Sequence, residues 1–273
     1  MTLLSTRKPR RQVNIYTLYA ALASTAASRP IYPSPPSRMM PVNKMAFIPT
    51  TDNFHKLGRH TSKRCLSTLH AGVESEAEIK DKTKKWIDNV VIGLNMCPFA
   101  EKSRSQQKIF TTVVRSDDVE EILSVVLYES ILREDDTGTT MVVCPELSPN
   151  NFIEFYNVVA MAEDMLHAQD LDGIIQIAPF HPLFQFEGSG EDGIDNLTNR
   201  APYPIFHILR EEEVSAAVKK LDGDSSKVWD RNVSLLENME DVYGRSTTEK
   251  IMSGEKVEGL RDLLRRITEE EKK

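Results

Sequence analysis

Cysteine is scarce in this chain, with three in 273 residues. That is too few for a disulfide framework, and their spacing fits no metal-binding pattern. No run of about 18 consecutive apolar residues occurs, so no membrane-spanning helix is expected. A Walker A loop, a nucleophile elbow of the form G-x-S-x-G and an H-E-x-x-H helix are all missing, which removes the commonest routes to nucleotide hydrolysis, serine esterase and zinc protease chemistry. Acidic residues are almost absent from one end: residues 1–70 hold eleven Lys or Arg and one acid, Asp52. The rest carries 23 bases against 40 acids, so a segment of +10 precedes one of −17, summing to −7. A chain whose main part is this acidic lacks the basic face needed to neutralise phosphates, and no nucleic-acid partner is expected.

The basic, Ser/Thr-rich first 70 residues, with prolines at 30, 33, 35, 36 and 41, have the composition of an import leader. Arg64-Cys65-Leu66 ahead of Ser67-Thr68 has the form of a mitochondrial processing site. Mitochondrial matrix is the expected location, with a plastid as the alternative. A secretory reading, with Arg7 to Arg11 as a charged start and Val13 to Ala27 as an apolar core, also fits, as does initiation at Met39, Met40 or Met45. The two cysteines left after such processing, Cys97 and Cys144, imply a reducing compartment.

Beyond the leader, hydrophobic periodicity sets the elements. Ile79, Trp86, Val90 and Leu94 fall on one stripe, predicting a helix over 74–95 that Pro98 closes. Ile109 to Val114 reads as a strand. Asp117-Asp118 caps a helix through Ile131, and Thr140 to Cys144 is a second strand. A helix over 152–168 follows Ser148-Pro149-Asn150, and a third strand runs from Ile174 to Ala178. Ile205 to Leu209 reads as a fourth strand and Glu211 to Lys220 as a helix, with a single continuous helix over 204–220 as the alternative, and Asp222 to Ser226 is a turn. Asp230 caps a further helix that Gly244 ends. Strands separated by helices of ten or more residues predict an α/β domain with a three- to four-stranded, mostly parallel sheet flanked by helices. The organisation read here is a leader over 1–70, one globular domain over 78–244, and a charged helical extension over 245–273 with a stripe at Val257, Leu260, Leu263, Leu264 and Ile267.

Between Phe180 and Arg210 the periodicity lapses and chemistry-bearing residues gather: Phe180-His181-Pro182, Gln185-Phe186-Glu187-Gly188, Asn199-Arg200-Ala201-Pro202-Tyr203-Pro204 and His207. So long a loop inside a compact domain is usually functional or disordered, and its apolar anchors favour an ordered site. It contains a literal G-x-G-x-x-G at Gly188 to Gly193, but Glu191 and Asp192 would oppose a pyrophosphate and Pro202 rules out a long helix after it. An acidic loop tip is the expectation.

The blocks Val91 to Ala100, Phe180-His181-Pro182 with Gln185-Phe186, Thr198 to Pro204, His207 to Glu211 and Arg231-Asn232 resemble the domain-of-unknown-function family 1415, over residues 78–244. The resemblance implies a bacterial-type domain and leaves the activity open.

The candidate site residues follow from chemistry. Cys97 is a nucleophile if a histidine base lies within hydrogen-bond reach, or otherwise a small apolar filler. His181, placed after a strand end, is a candidate acid/base or a loop-fixing group. Asn199, Arg200, Tyr203 and Arg210 are candidate substrate-binding residues, the arginines offering a fork for a small anion. Cys97, His181 and His207 form a candidate metal set, and no organic cofactor is identified. The leading expectation is an enzyme acting on a small anionic metabolite through a Cys/His/Arg site. The alternatives are a non-catalytic ligand- or protein-binding α/β module, with the amphipathic stripe at 255–268 for docking, and a thioredoxin-like redox protein using the single thiol of Cys97-Pro98-Phe99.

Overall fold

A computed structural model describes residues 74–220, 226–260 and 264. The expected leader, most of the turn after Asp222, and Leu263 and Ile267 of the terminal stripe lie outside these residues.

Ser75 starts the first helix, α1 (Glu76–Trp86), through a reciprocal pair: its hydroxyl accepts the Glu78 N–H while the Glu78 carboxylate accepts the Ser75 N–H. The helix then widens into a π-turn, Ile87–Ile92, ended at Asn95, whose φ of 54° is tolerated by its short polar side chain. A short helix, α2 (Ala100–Ser105), leads into β1 (Ile109–Val113). Asp118 caps α3 (Val119–Asp135) by accepting the N–H groups of Glu120 and Glu121. β2 (Thr139–Val143), α4 (Phe152–Ala168) capped by Asn151, and β3 (Ile175–Phe180) follow. After the long loop come β4 (Ile205–Arg210), α5 (Glu211–Lys219), α6 (Ser226–Tyr243) and α7 (Arg245–Met252). α6 begins at Ser226 rather than at the expected Asp230, and Gly244, with φ 76°, makes the turn between α6 and α7.

The four strands form one sheet in the order β1-β2-β4-β3. Only β1 and β2 pair in parallel; β4 pairs antiparallel with both β2 and β3, which corrects the expectation of a mostly parallel sheet. β1, β2 and β3 do run in one direction, as their helical crossovers require. The crossover through α4, however, carries β3 past a vacant position. β4 then enters that position from the opposite direction, because the β3–β4 connection starts and finishes at the same end of the sheet.

Strand alternation sends side chains to two cores. On one face Val142, Cys144, Ile175, Ile177, Phe206 and Ile208 pack against α3 and α4. On the other Met141, Val143 and Ile205 meet Trp86 and Val90 of the first helical segment, Leu235, Leu236 and Met239 of α6, and Ile251 and Met252 of α7. Ile205, Phe206 and Ile208 are fully buried, as befits a central strand covered on both faces.

The described residues after Gly244 pack against the domain. Val257, Leu260 and Leu264 pack against the second core, and the Asn89 side chain donates to the Gly254 carbonyl at 2.8 Å. Gly254 has φ 98°, and a Cβ there would stand 3.1 Å from the Trp86 Cα. Gly254→Ala is therefore expected to lower stability by about 1–3 kcal/mol, through left-handed strain and through the closed approach to α1. Urea unfolding of this variant beside wild type checks it; an unchanged midpoint would show that the tail does not rest on Trp86.

Candidate functional site

The carboxyl ends of β1, β2 and β3 share one edge of the sheet, the place where open α/β sheets bind ligands. The loop 181–204 leaves from that edge and returns to it, and it carries His181, Asn199, Arg200 and Tyr203. Once there, their polar side chains bond mainly to main-chain groups.

His181 is fully buried. Its Nδ1 accepts the Leu183 N–H at 3.0 Å, so its Nε2–H donates to the Ser148 carbonyl, also at 3.0 Å. Ser148 adopts φ 45°, an uncommon conformation for serine, in presenting that carbonyl. The ring stacks on Phe155 at 5.2 Å and lies 5.5 Å from Phe152, within the first core. Both nitrogens are occupied by main chain, and burial holds the ring pKa below its ordinary value.

Asn196, fully buried, is the centre of the loop. Its Oδ1 accepts the Phe186 N–H at 2.8 Å while its Nδ2 donates to the Gly190 carbonyl at 2.7 Å. The Ser189 hydroxyl donates to Asp195, and Gln185 donates to the Ser189 carbonyl. The glycine-rich segment is thus folded upon itself and runs into a short 3-10 turn, Ile194–Asn199, in keeping with an acidic loop tip. Asn199 donates to the Pro179 carbonyl at 3.4 Å, and its own carbonyl accepts the His181 N–H, tying the end of the loop to the end of β3.

Arg200 donates through Nε to the Phe184 carbonyl at 3.3 Å and through a terminal nitrogen to the Glu191 carbonyl at 2.9 Å. Its remaining terminal nitrogen lies 3.8 Å from Glu249 of α7, a carboxylate also bonded to Arg245 at 2.8 Å. Tyr203 is buried in the second core with Lys82 4.9 Å above its ring. Arg210 stands apart from these. It lies at the far end of β4, roughly 17 Å of strand from Ile205 at about 3.3 Å per residue, and donates to the Glu134 carbonyl beside Glu212 and Glu213.

His207 projects from the middle of β4 to the opposite face from Phe206, with its ring 6.0 Å from Phe180. Its Nε2–H donates to the Thr139 hydroxyl at 2.6 Å, which passes its own proton bond to the Ile208 carbonyl. Burial pushes its pKa down to about 4. His181 and His207 therefore serve different faces of the sheet. Cys97 lies beyond the π-turn, where Arg231 donates to the carbonyls of Leu94 and Asn95 and Asn232 donates to that of Met96. The N–H groups of Phe99 and Ala100 point at its sulfur, yet burial outweighs them and raises the thiol pKa. Among the described residues no three His, Cys, Asp or Glu side chains are grouped to hold a metal, so the candidate set Cys97, His181 and His207 is not assembled.

Sequence reasoning overlooked Asn196 and underrated the Arg231-Asn232 pair. The available signal was asparagine beside glycine-rich or irregular chain, where its amide can satisfy main-chain groups.

The histidines yield a pH prediction. His207 is neutral in the folded state and takes a proton more readily when unfolded, so its contribution to stability is present above about 6.5 and is lost as pH falls towards about 4. His167 is exposed and bonded to Asp172, which raises its pKa, so its contribution has the opposite sign: present at low pH and lost as pH rises. In an NMR titration from high pH downwards, the His167 ring should protonate first and the His207 ring last. Ordinary titration of His207 near 6.5 would contradict its packing.

No described helix is long and apolar enough to cross a membrane. No curated protein and no solved structure matches the chain at a significant level. A family profile described as "Protein of unknown function (DUF1415)" does match, over residues 78–245, a span that holds the whole sheet, the loop 181–204 and the Arg231-Asn232 clamp. The chain belongs to this family, DUF1415.

Proposed function

We propose that the protein is a non-catalytic binding module, an α/β scaffold that offers a preorganised loop at the carboxyl edge of its sheet to a ligand or partner. One observation carries this reading: the polar side chains that mark the loop, His181, Asn196, Asn199 and Arg200, all bond to main-chain groups. Such bonding fixes shape, as recognition loops on rigid scaffolds require. General base catalysis needs a ring nitrogen free to reach a substrate proton, and both nitrogens of His181 already have partners. Leu183, about half exposed next to the anchored His181, gives the surface an apolar contact point.

A second reading keeps Cys97 as a reactive thiol, the role an anion-directed enzyme or a redox protein would give it, since two N–H groups face its sulfur. The readings part on one variant. If His181 is structural, His181→Gln costs about 2–4 kcal/mol, from a lost buried hydrogen bond and a poorer fit against Phe155, and leaves the alkylation rate of folded Cys97 unchanged. If His181 serves the thiol, the same variant keeps its stability and shifts the pH profile of Cys97 alkylation. Chemical unfolding combined with peptide-resolved alkylation by iodoacetamide reads both quantities. A shifted profile, or a wild-type thiol reacting as though its pKa were well below the usual value, would overturn the binding-module reading.

A further inference from the structure

The geometry points to a second copy of this chain as the partner of the exposed edge of β1, with the two β1 strands joined antiparallel about Thr111 into one continuous sheet. β1 is an outer strand, and its hydrogen-bond phase is fixed by two bonds that extend its parallel ladder with β2. The Val114 N–H donates to the Val143 carbonyl, and the Thr139 N–H donates to the Lys108 carbonyl. Residues 108, 110, 112 and 114 therefore turn their main-chain groups towards β2. Ile109, Thr111 and Val113 turn theirs outwards. Among the described residues no hydrogen bond reaches those outward groups.

Natural sheets blunt such an edge with a charge, a proline, a bulge or a covering element. Ile109-Phe110-Thr111-Thr112-Val113 has no charge and no proline, and its regular register with β2 contains no bulge. Phe110 is 41% exposed, and the other four residues are only partly covered.

The edge is also self-complementary. In an antiparallel pair centred on Thr111, Ile109 lies opposite Val113 of the second copy and Thr111 opposite its own counterpart. Each of these pairings joins two residues whose N–H and C=O both face the partner, the arrangement in which antiparallel strands exchange both bonds. Towards the second core Ile109 meets Val113, and the two Thr111 side chains meet each other, all favourable cross-strand neighbours. Towards α3, Phe110 lies opposite Thr112 of the other copy.

That last juxtaposition brings opposite charges together. The Arg133 guanidinium sits 4.4 Å over the Phe110 ring, and its Nε is buried without a hydrogen-bond partner. Glu129 is bound to Thr112 at 2.7 Å and to Thr140 at 3.3 Å. The twofold register sets Arg133 of each copy beside Glu129 of the other, twice over. A strand from an unrelated protein would satisfy the main-chain groups equally well, but the symmetric charge pattern favours self-association.

The test uses the full chain and two edge variants, Thr111→Pro and Thr111→Lys. Because the Thr111 N–H faces away from β2, the proline removes no bond within the protomer, and lysine is a natural edge blocker. Sedimentation equilibrium over a wide dilution series should give twice the chain mass for wild type and the chain mass for both variants, with unchanged circular dichroism. The amide protons of Ile109, Thr111 and Val113 should be protected from exchange in wild type and exchange freely in the variants. If Thr111→Pro fails to fold, Thr111→Lys carries the test. A monomeric wild type overturns the proposal. So does a dimer that persists in the folded variants, which would place the interface elsewhere. Protection of these three amides in a monomer also overturns it, since another segment of the same chain would then cover the edge.

Discussion

The position of β4 between β2 and β3 is the constraint on which the rest of the structure depends. Three strands joined by helical crossovers already point one way, and a fourth that fills a gap among them has to arrive at their carboxyl ends and run back. The chain between Phe180 and Ile205 is therefore obliged to stay at one edge of the sheet while carrying main-chain groups that cannot all reach solvent. The asparagines, Arg200 and His181 satisfy these groups. His181, Asn196, Asn199 and Arg200 thereby hold a non-helical connection in place.

The second core follows from the same arrangement. A central strand needs cover on both faces, and α3 with α4 protects only one. The other is closed by the first helical segment, α6 and α7, which come from opposite ends of the domain. The π-turn joins them through Asn89, which reaches the Gly254 carbonyl, while its Asp88 pairs with Arg104 of α2, whose guanidinium holds that carboxyl below the usual range. Arg231 and Asn232 add a further connection by bonding the carbonyls that precede Cys97.

Much of this was legible in the sequence. The stripe through Ile79, Trp86 and Val90, the Asp118 cap and the helix over 152–168 fall where periodicity places them, because each rests on local geometry and a single apolar face. Strand order was not legible in connection lengths, which constrain direction but not which strand ends up beside which. A better clue was the nearly unbroken apolar run Ile205-Phe206-His207-Ile208-Leu209, the composition of a strand buried on both faces, and hence of a central one. His181 follows the end of β3, as its place after an apolar run suggests, and Asn199 and Arg200 lie in the loop that returns to that edge. Their orientation towards main chain was hidden, since a side chain that completes a loop and one that binds a ligand have the same composition. Arg210 shows the opposite limit: near Arg200 in sequence, it is held a strand's length away.

The most direct test of this account is residue-resolved native hydrogen exchange across the loop. If the loop is fixed by its own side chains, the amides of His181, Leu183 and Phe186, bonded to the Asn199 carbonyl, the His181 Nδ1 and the Asn196 Oδ1, should exchange as slowly as those of β4 and open only with it. Fast exchange at these three positions while β4 stays protected would show a loop that moves independently of the central strand, and would contradict the account.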